Sequence, residues 1–280
     1  MQTTGVLETE RTDETEPGSV LPPLVLEDVW RGMESDQFLP HFQPKVSLRG
    51  MELKGVEALL RWQHPERGLL SAKAFLPLIT DNFLFDDLAC VTLERSVSQC
   101  RAWLDQGLQV PVSVNLTADL LRDSRLIERI QDKVSQYALP AEYLTIEVAE
   151  AAVAQETGES LETLLKLRVA GFGVSIDDYG TGRCDRTQLE RIPASELKID
   201  RKMLAGATRD GALKAQLQAS VELARDLNFV AVAEGVETRE EWDLVNELGC
   251  DMAQGWFIAH PMPGEDLADW LIGWNADPFL

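Results

Sequence analysis

Five carboxylates, two amides and a lysine stand where an apolar strand has no use for them in this 280-residue sequence. Glu57, Asn115, Glu147, the pair Asp177 and Asp178, Lys198, Glu234 and Gln254 each lie at or near the carboxyl end of a strand-like segment. Taken singly, each has an ordinary explanation. An acid at a strand end most often caps a helix or faces solvent, and Lys198 could pair with any neighbouring acid. Taken together they point to chemistry. Five carboxylates on one rim repel and raise one another's pKa values unless a cation offsets them. Oxygen ligands, the Asn115 amide among them, suit Mg²⁺ or Mn²⁺ better than zinc. His41, His64 and His260 have no mutual metal spacing, which argues against a His-rich site. Lys198 would bring a positive charge to that rim. A weaker alternative makes it a base acting on a carbon acid.

Such a rim needs strands that deliver their ends to one place. Two strand-like segments come first, 41–48 and 53–60, joined by the four residues Arg49 to Glu52. That link fits an antiparallel hairpin, because a parallel crossover needs about a dozen residues. Further strands are expected at 110–116, 143–148, 173–178, 196–200, 229–234 and 252–257. Helical patterns fall between them at 86–105, 118–137, 160–170, 212–227 and 239–248. A short leading helix is expected over 26–34, with Val29, Trp30 and Met33 on its inner face. Eight strands with alternating helices give an α/β fold, a TIM-like (β/α)8 barrel with one antiparallel strand, whose active sites sit at the carboxyl ends of the strands. An open doubly wound sheet is the competing architecture.

The bulk numbers agree with a soluble domain that buries a core. The chain is 45% hydrophobic, and a barrel of this kind takes about 250 residues. No stretch approaches the roughly 18 apolar residues of a membrane span. Residues 1–24 read as an acidic, disordered leader, with no apolar core for a secretory signal, and 25–280 as the folded domain. Cys90, Cys100, Cys184 and Cys250 form no metal-type pair and read as reduced thiols of a cytoplasmic protein. A net charge of −21 argues against binding duplex nucleic acid through a basic face. With 26 Lys and Arg against 47 acids, a bound divalent cation is the natural source of positive charge for an anionic ligand.

The motifs themselves resemble a known family. Gly55-Val-Glu-Ala-Leu-Leu-Arg-Trp62 contains the Glu-Ala-Leu signature of EAL-domain cyclic di-GMP phosphodiesterases. The resemblance runs from about Phe38 to Leu271. It includes Gln43-Pro44, Val114-Asn115-Leu116, Glu147-Val-Ala-Glu150 and Asp177-Asp178-Tyr-Gly-Thr-Gly182. It continues through Leu197-Lys-Ile-Asp200, Ala233-Glu-Gly-Val-Glu-Thr238 and Gln254-Gly255. It implies a barrel with one reversed strand, two metal ions (Mg²⁺ or Mn²⁺), and in-line attack by water on cyclic di-GMP to give linear pGpG. Glu57, Asn115, Glu147 and Asp177 resemble the ligands of one ion. Asp177 would bridge to a second, held also by Asp178 and Glu234. Lys198 resembles the lysine that positions the attacking water, Gln254 an outer contact to metal-bound water, and Glu150 the glutamate that steadies the loop after Asp178. Gln43 and Arg61 resemble substrate contacts, to a guanine and to the phosphate region. The family also implies a homodimer.

The chain departs from the pattern in places. The loop after Gly182 reads Arg183-Cys184-Asp185 where the family usually has Tyr-Ser-Ser. Phe75-Leu-Pro77 is followed by Leu78-Ile79-Thr80 where a carboxylate is usual, and Ala149 and Ala151 flank Glu150. The altered loop motivates an alternative, a catalytically weak or inactive receptor for cyclic di-GMP that signals through a partner. Trp62, Trp103, Trp242 and Trp270 read as core. Trp256, after Gln254-Gly255, is the one tryptophan expected near the rim.

Overall fold

The computed structural model describes residues 22–81, 84–154, 158–182 and 184–279. The leader expected over residues 1–24 therefore falls almost wholly outside the described residues, as does Arg183 of the altered loop.

Nine strands are described: β1 (Phe38–Ser47), β2 (Leu53–His64), β3 (Gly68–Ser71), β4 (Val112–Leu116), β5 (Leu144–Ala149), β6 (Gly173–Tyr179), β7 (Glu196–Ile199), β8 (Val230–Ala233) and β9 (Met252–Gln254). From β2 through β4, β5, β6, β7 and β8 to β9, each strand pairs in parallel with the next. β1 closes the ring, antiparallel to both β2 and β9. The result is a closed eight-stranded barrel with one reversed strand. The short hairpin forces the reversal: the Met51 amide returns to the Ser47 carbonyl at 2.9 Å, with Met51 at φ 54°. β3, which the sequence pattern did not reveal, pairs with the far end of β2 outside the ring.

Alternation along each strand divides the side chains. Val112, Val114, Ile146, Val148, Val174, Ile176, Leu197 and Ile199 join a buried core with Leu93, Val97 and Trp103 of the helix Phe85–Asp105, Leu164 and Leu167 of Gly158–Val169, and Leu217 and Val221 of Gly211–Asp226. The intervening positions carry the polar groups, which therefore face the barrel interior. A second, smaller core packs Val29 of the leading helix Leu26–Glu34 with Phe38, Trp62, Phe75 and Ile79. Trp62 and Trp103 are fully buried, as is Trp242, and Trp270 is partly so.

Some expectations change. Trp30 lies 46% exposed instead of on the inner face, because it is about 100° around the helix from Val29; Gly32 takes the place against Trp62. The helix expected over 118–137 divides into a 3₁₀ turn, Leu120–Arg122, and a helix, Leu126–Gln136. Side chains cause the break: Thr117 accepts from the Leu120 amide and Asp123 from the Arg125 amide. The last strand stops at Gln254, three residues short, because Gly255 turns against Val236, whose carbonyl would lie 2.1 Å from any added Cβ. Ala72–Asp81 is helical although Pro77 lies inside it. No helix among the described residues is long and apolar enough to cross a membrane.

Candidate metal centre

The parallel strands all deliver their carboxyl ends to one rim, and the expected carboxylates meet there. Oxygens of Glu57 (β2), Glu147 (β5) and Asp177 (β6) lie within 4.8 Å of one another, and so do those of Asp177, Asp178 and Glu234. Asp177 belongs to both groups. Octahedral coordination with bonds of 2.0–2.1 Å sets opposite oxygens about 4 Å apart, so either group closes on a small divalent ion with slight movement.

Lys198 on β7 is fully buried at the centre. Its Nζ lies 3.0 Å from Glu57 Oε2, 2.7 Å from Glu147 Oε2, 2.9 Å from Asp177 Oδ1 and 2.7 Å from Glu234 Oε1. An ammonium has three protons, and here it meets four carboxylates. Hydrogen bonds from Nζ reach Glu57 and Glu147, and Asp177 Oδ1 is a buried acceptor without a donor despite its closeness. When all four acids are ionised, one lysine leaves three negative charges unmatched. Gln254 donates its Nε2 to Glu57 Oε2 at 2.7 Å and to Gln43 Oε1 at 3.1 Å, while its own Oε1 is buried without a donor. Two orphaned acceptors and an excess of buried negative charge fit a divalent cation and its waters.

The titration behaviour follows the same geometry. Burial pushes the carboxyls of Glu57, Asp177 and Asp178 above their ordinary values, and that of Glu234 well above. Glu147 differs. Burial raises it too, but Lys198 and Lys45 pull harder and hold it at about 2. Burial also works against the Lys198 charge, yet Glu147, Glu234, Glu57 and Asp177 keep its pKa well above the usual lysine value. With these four acids around it, Lys198 is held in its charged form.

The other expected residues fall as follows. Asn115, on β4, donates to Glu57 Oε1 at 2.8 Å and is exposed at the rim. Asp178 holds a left-handed φ of 57°, which aims its carboxylate at Asp200. Glu150 sits one residue past β5, 1% exposed, and its carboxylate gathers the following loop. Oε2 accepts from the Gly180 and Thr181 amides and the Thr181 hydroxyl, and Oε1 from the Cys184 amide. Arg61 lies four residues beyond Glu57 on the same face of β2, with Nη1 on the Leu60 carbonyl. Gln43 is 7% exposed with both ends of its amide engaged, by Gln254 and by the Ala259 carbonyl. Trp256 is 46% exposed and tilted over His260.

Sequence reasoning missed a buried layer beneath the rim. Lys45, Ser113, Ser175 and Glu196 are all at most 9% exposed and bonded to one another or to Glu147. The signal was present: each stands two residues from a rim residue on its strand (Gln43, Asn115, Asp177, Lys198), and a period of two puts both on the inner face. Asp200, at the end of the Leu197 to Asp200 run, lies beside Asp178, a juxtaposition that strand periodicity does not disclose.

Fold and site together define a (β/α)8-type barrel with one reversed strand and an acid-lined, cation-compatible rim. The chain belongs to the EAL domain family, whose model matches residues 26–261. It is 38% identical over 244 residues to the bifunctional diguanylate cyclase/cyclic di-GMP phosphodiesterase MucR of Pseudomonas aeruginosa, covering 87% of this chain and 36% of that protein. It is 32% identical over 246 residues to the cyclic di-GMP phosphodiesterase RocR of the same organism, covering 88% and 63%. Among solved structures, the MucR phosphodiesterase in complex with cyclic di-GMP superposes with a TM-score of 0.82 at 38% identity, covering 86% of this chain and 98% of that one. The chain spans less than two thirds of the length of both relatives.

Proposed function

We propose that this chain hydrolyses cyclic di-GMP to linear pGpG with two divalent cations, Mg²⁺ or Mn²⁺, at the barrel rim. The observation that carries the reading is the pair of carboxylate groups sharing Asp177 around a single ammonium. The names of MucR and RocR, and the ligand in the MucR structure, supply the substrate. Glu57, Asn115, Glu147 and Asp177 would hold one ion, and Asp177, Asp178 and Glu234 the other. When bound, such a pair supplies the charge that neutralises a phosphodiester and acidifies a water for in-line attack. Without that charge, an acidic rim on a chain of net charge −21 would repel a dianionic substrate.

The protein's own groups do the rest. Lys198 holds a proton-bearing cation against the ligand carboxylates and donates toward the attacking water or the developing charge. Gln254 fixes Glu57 and presents its free oxygen to the rim. Gln43 would contact a guanine through its second Nε2 proton and second Oε1 lone pair, while its other bonds, from Gln254 and to the Ala259 carbonyl, fix the amide in place. Arg61, farther out on β2, reaches for the phosphate region. Glu150 ties down the loop that follows Asp177 and Asp178. Residues 25–280 act as one catalytic domain, cytoplasmic and homodimeric in this reading. Light scattering tests the dimer.

Chromatography of cyclic di-GMP after incubation decides the main point. pGpG is expected with Mg²⁺ or Mn²⁺, and none with a chelator or with Glu57→Ala. Intact dinucleotide under either metal, together with calorimetric binding, would establish the receptor alternative instead. The complete carboxylate set favours the hydrolase.

Glu150→Ala should lower turnover by about 10–100-fold, the usual cost of losing a group that orients metal ligands. Steady-state kinetics at saturating metal would check it, and parent-like turnover would remove Glu150 from the machinery. A second expectation concerns pH. Glu57, Asp177, Asp178 and Glu234 bind protons more tightly folded than unfolded, so stability falls as pH rises from their ordinary values of 3.8–4.5 through the raised ones. Glu147 runs the other way: its contribution is complete above 4.5 and is lost as pH falls toward about 2. In chelator the melting temperature should therefore peak at mildly acidic pH and decline toward neutrality, and Mg²⁺ should remove most of the decline. A flat profile in chelator would contradict this charge balance.

A further inference from the structure

Beneath the rim, Lys45 makes a bond with each of its three protons. It donates 2.7 Å to Ser113 Oγ, 2.9 Å to Glu196 Oε1 and 3.3 Å to Glu147 Oε1. Ser175 Oγ adds a 2.9 Å bond to the same Glu196 oxygen. β1 pairs with β2 and β9, whereas Glu147 and Glu196 stand on β5 and β7, so these bonds cross the barrel lumen. Lys45 is 4% exposed and Glu147 fully buried.

Packing alone does not ask for this arrangement. Barrel interiors of this type are usually filled by branched apolar side chains, and a buried ion pair is often no more stable than an apolar pair of the same volume. Lys45 and Glu196 also cancel in charge, so together they leave the excess negative charge of the rim unchanged. What they alter is geometry. Glu147 is gripped at both oxygens, Oε2 by Lys198 and Oε1 by Lys45, which leaves its carboxylate one orientation. The neighbouring Glu57 is held by Lys198, Asn115 and Gln254, all at the level of the rim.

We infer that Lys45, backed by Glu196, is a positioning residue that holds Glu147 from below and so pre-assembles one cation site. The inference rests on Glu147 being a cation ligand, as proposed above. Loss of the pair should weaken divalent-cation binding while leaving the rim surface that meets the dinucleotide in place.

The test titrates Mn²⁺ calorimetrically, with no dinucleotide present, into the parent, Lys45→Met and the double variant Lys45→Met/Glu196→Leu. The single variant leaves Glu196 buried without its cation and can fail to fold; the double variant removes both charges at nearly constant volume. The double variant is expected to fold, as a cooperative melt in chelator would show, and to bind Mn²⁺ about 10–100-fold more weakly. At saturating Mn²⁺ its KM for cyclic di-GMP should stay within about twofold of the parent, since no substrate-facing group has changed. Mn²⁺ affinity within twofold of the parent in a folded double variant would overturn the inference and leave the pair as barrel filling. Because the titration needs no turnover, an inactive parent would sink the hydrolase reading alone. A parent that takes up no Mn²⁺ would sink both.

Discussion

Asp177→Asn is expected to cut turnover of cyclic di-GMP by about 10²–10⁴-fold while leaving the metal-free protein as stable as the parent, or more so. Asp177 is the residue common to both carboxylate groups, so a neutral amide there weakens two cation sites at once. A loss of about 10–100-fold at each compounds to that range. The stability half of the expectation has a separate cause. Without cations, Asp177 Oδ1 is a buried acceptor that receives no hydrogen bond, and burial raises its pKa. Asparagine removes a negative charge from a place where four acids already crowd one lysine. Melting curves in chelator and in Mg²⁺ separate the two effects. The parent should gain stability from Mg²⁺ and the variant little. A variant that is destabilised in chelator, or that keeps a parent-sized response to Mg²⁺, would contradict the assignment.

Lys198→Met should behave in the opposite sense. Methionine approximates the length of the lysine stem, so little packing is lost, but the buried acids lose their shared ammonium. Removing one partner of a buried ion pair typically costs about 3–5 kcal/mol, because the remaining charge stays desolvated and uncompensated. That cost should appear in urea denaturation with chelator and shrink in Mn²⁺, where a cation takes over the neutralisation. Turnover should still fall by about 10²–10³-fold at saturating metal, the range for losing a preorganised donor beside a reacting centre. If Lys198→Met keeps full activity once loaded with metal, its role is neutralisation alone. If it is as stable as the parent in chelator, the acids are not held by Lys198 in the manner the distances imply.

The rim and its underlayer differ in how openly the chain declares them. Glu57, Asn115, Glu147, Asp177 and Lys198 interrupt apolar runs at strand ends, and their recurrence at the same end of successive strands singles them out as a set. Lys45 and Glu196 look in the sequence like the polar half of an alternating, half-exposed strand. Only ring closure turns that half inward, so a pattern that elsewhere means solvent here means a lumen less than 10% exposed.

From the sequence alone came the alternation of strands and helices, the hairpin that obliges β1 to run backwards, and the inventory of candidate oxygen ligands. These follow from local rules: a four-residue link cannot make a crossover, and residue type sets ligand chemistry. Tertiary structure decided what depends on distant strands meeting. It placed Trp30 outside, ended the last strand at Gln254, engaged Gln43 at both ends and set four acids around one ammonium. Gly255 turns where it does because Val236, nineteen residues earlier, leaves no room for a Cβ. Closure of the barrel brings Lys45 to Glu147, 102 positions away in the chain. No local pattern carries that information, because the contact exists only once eight strands have fixed their register around a common axis.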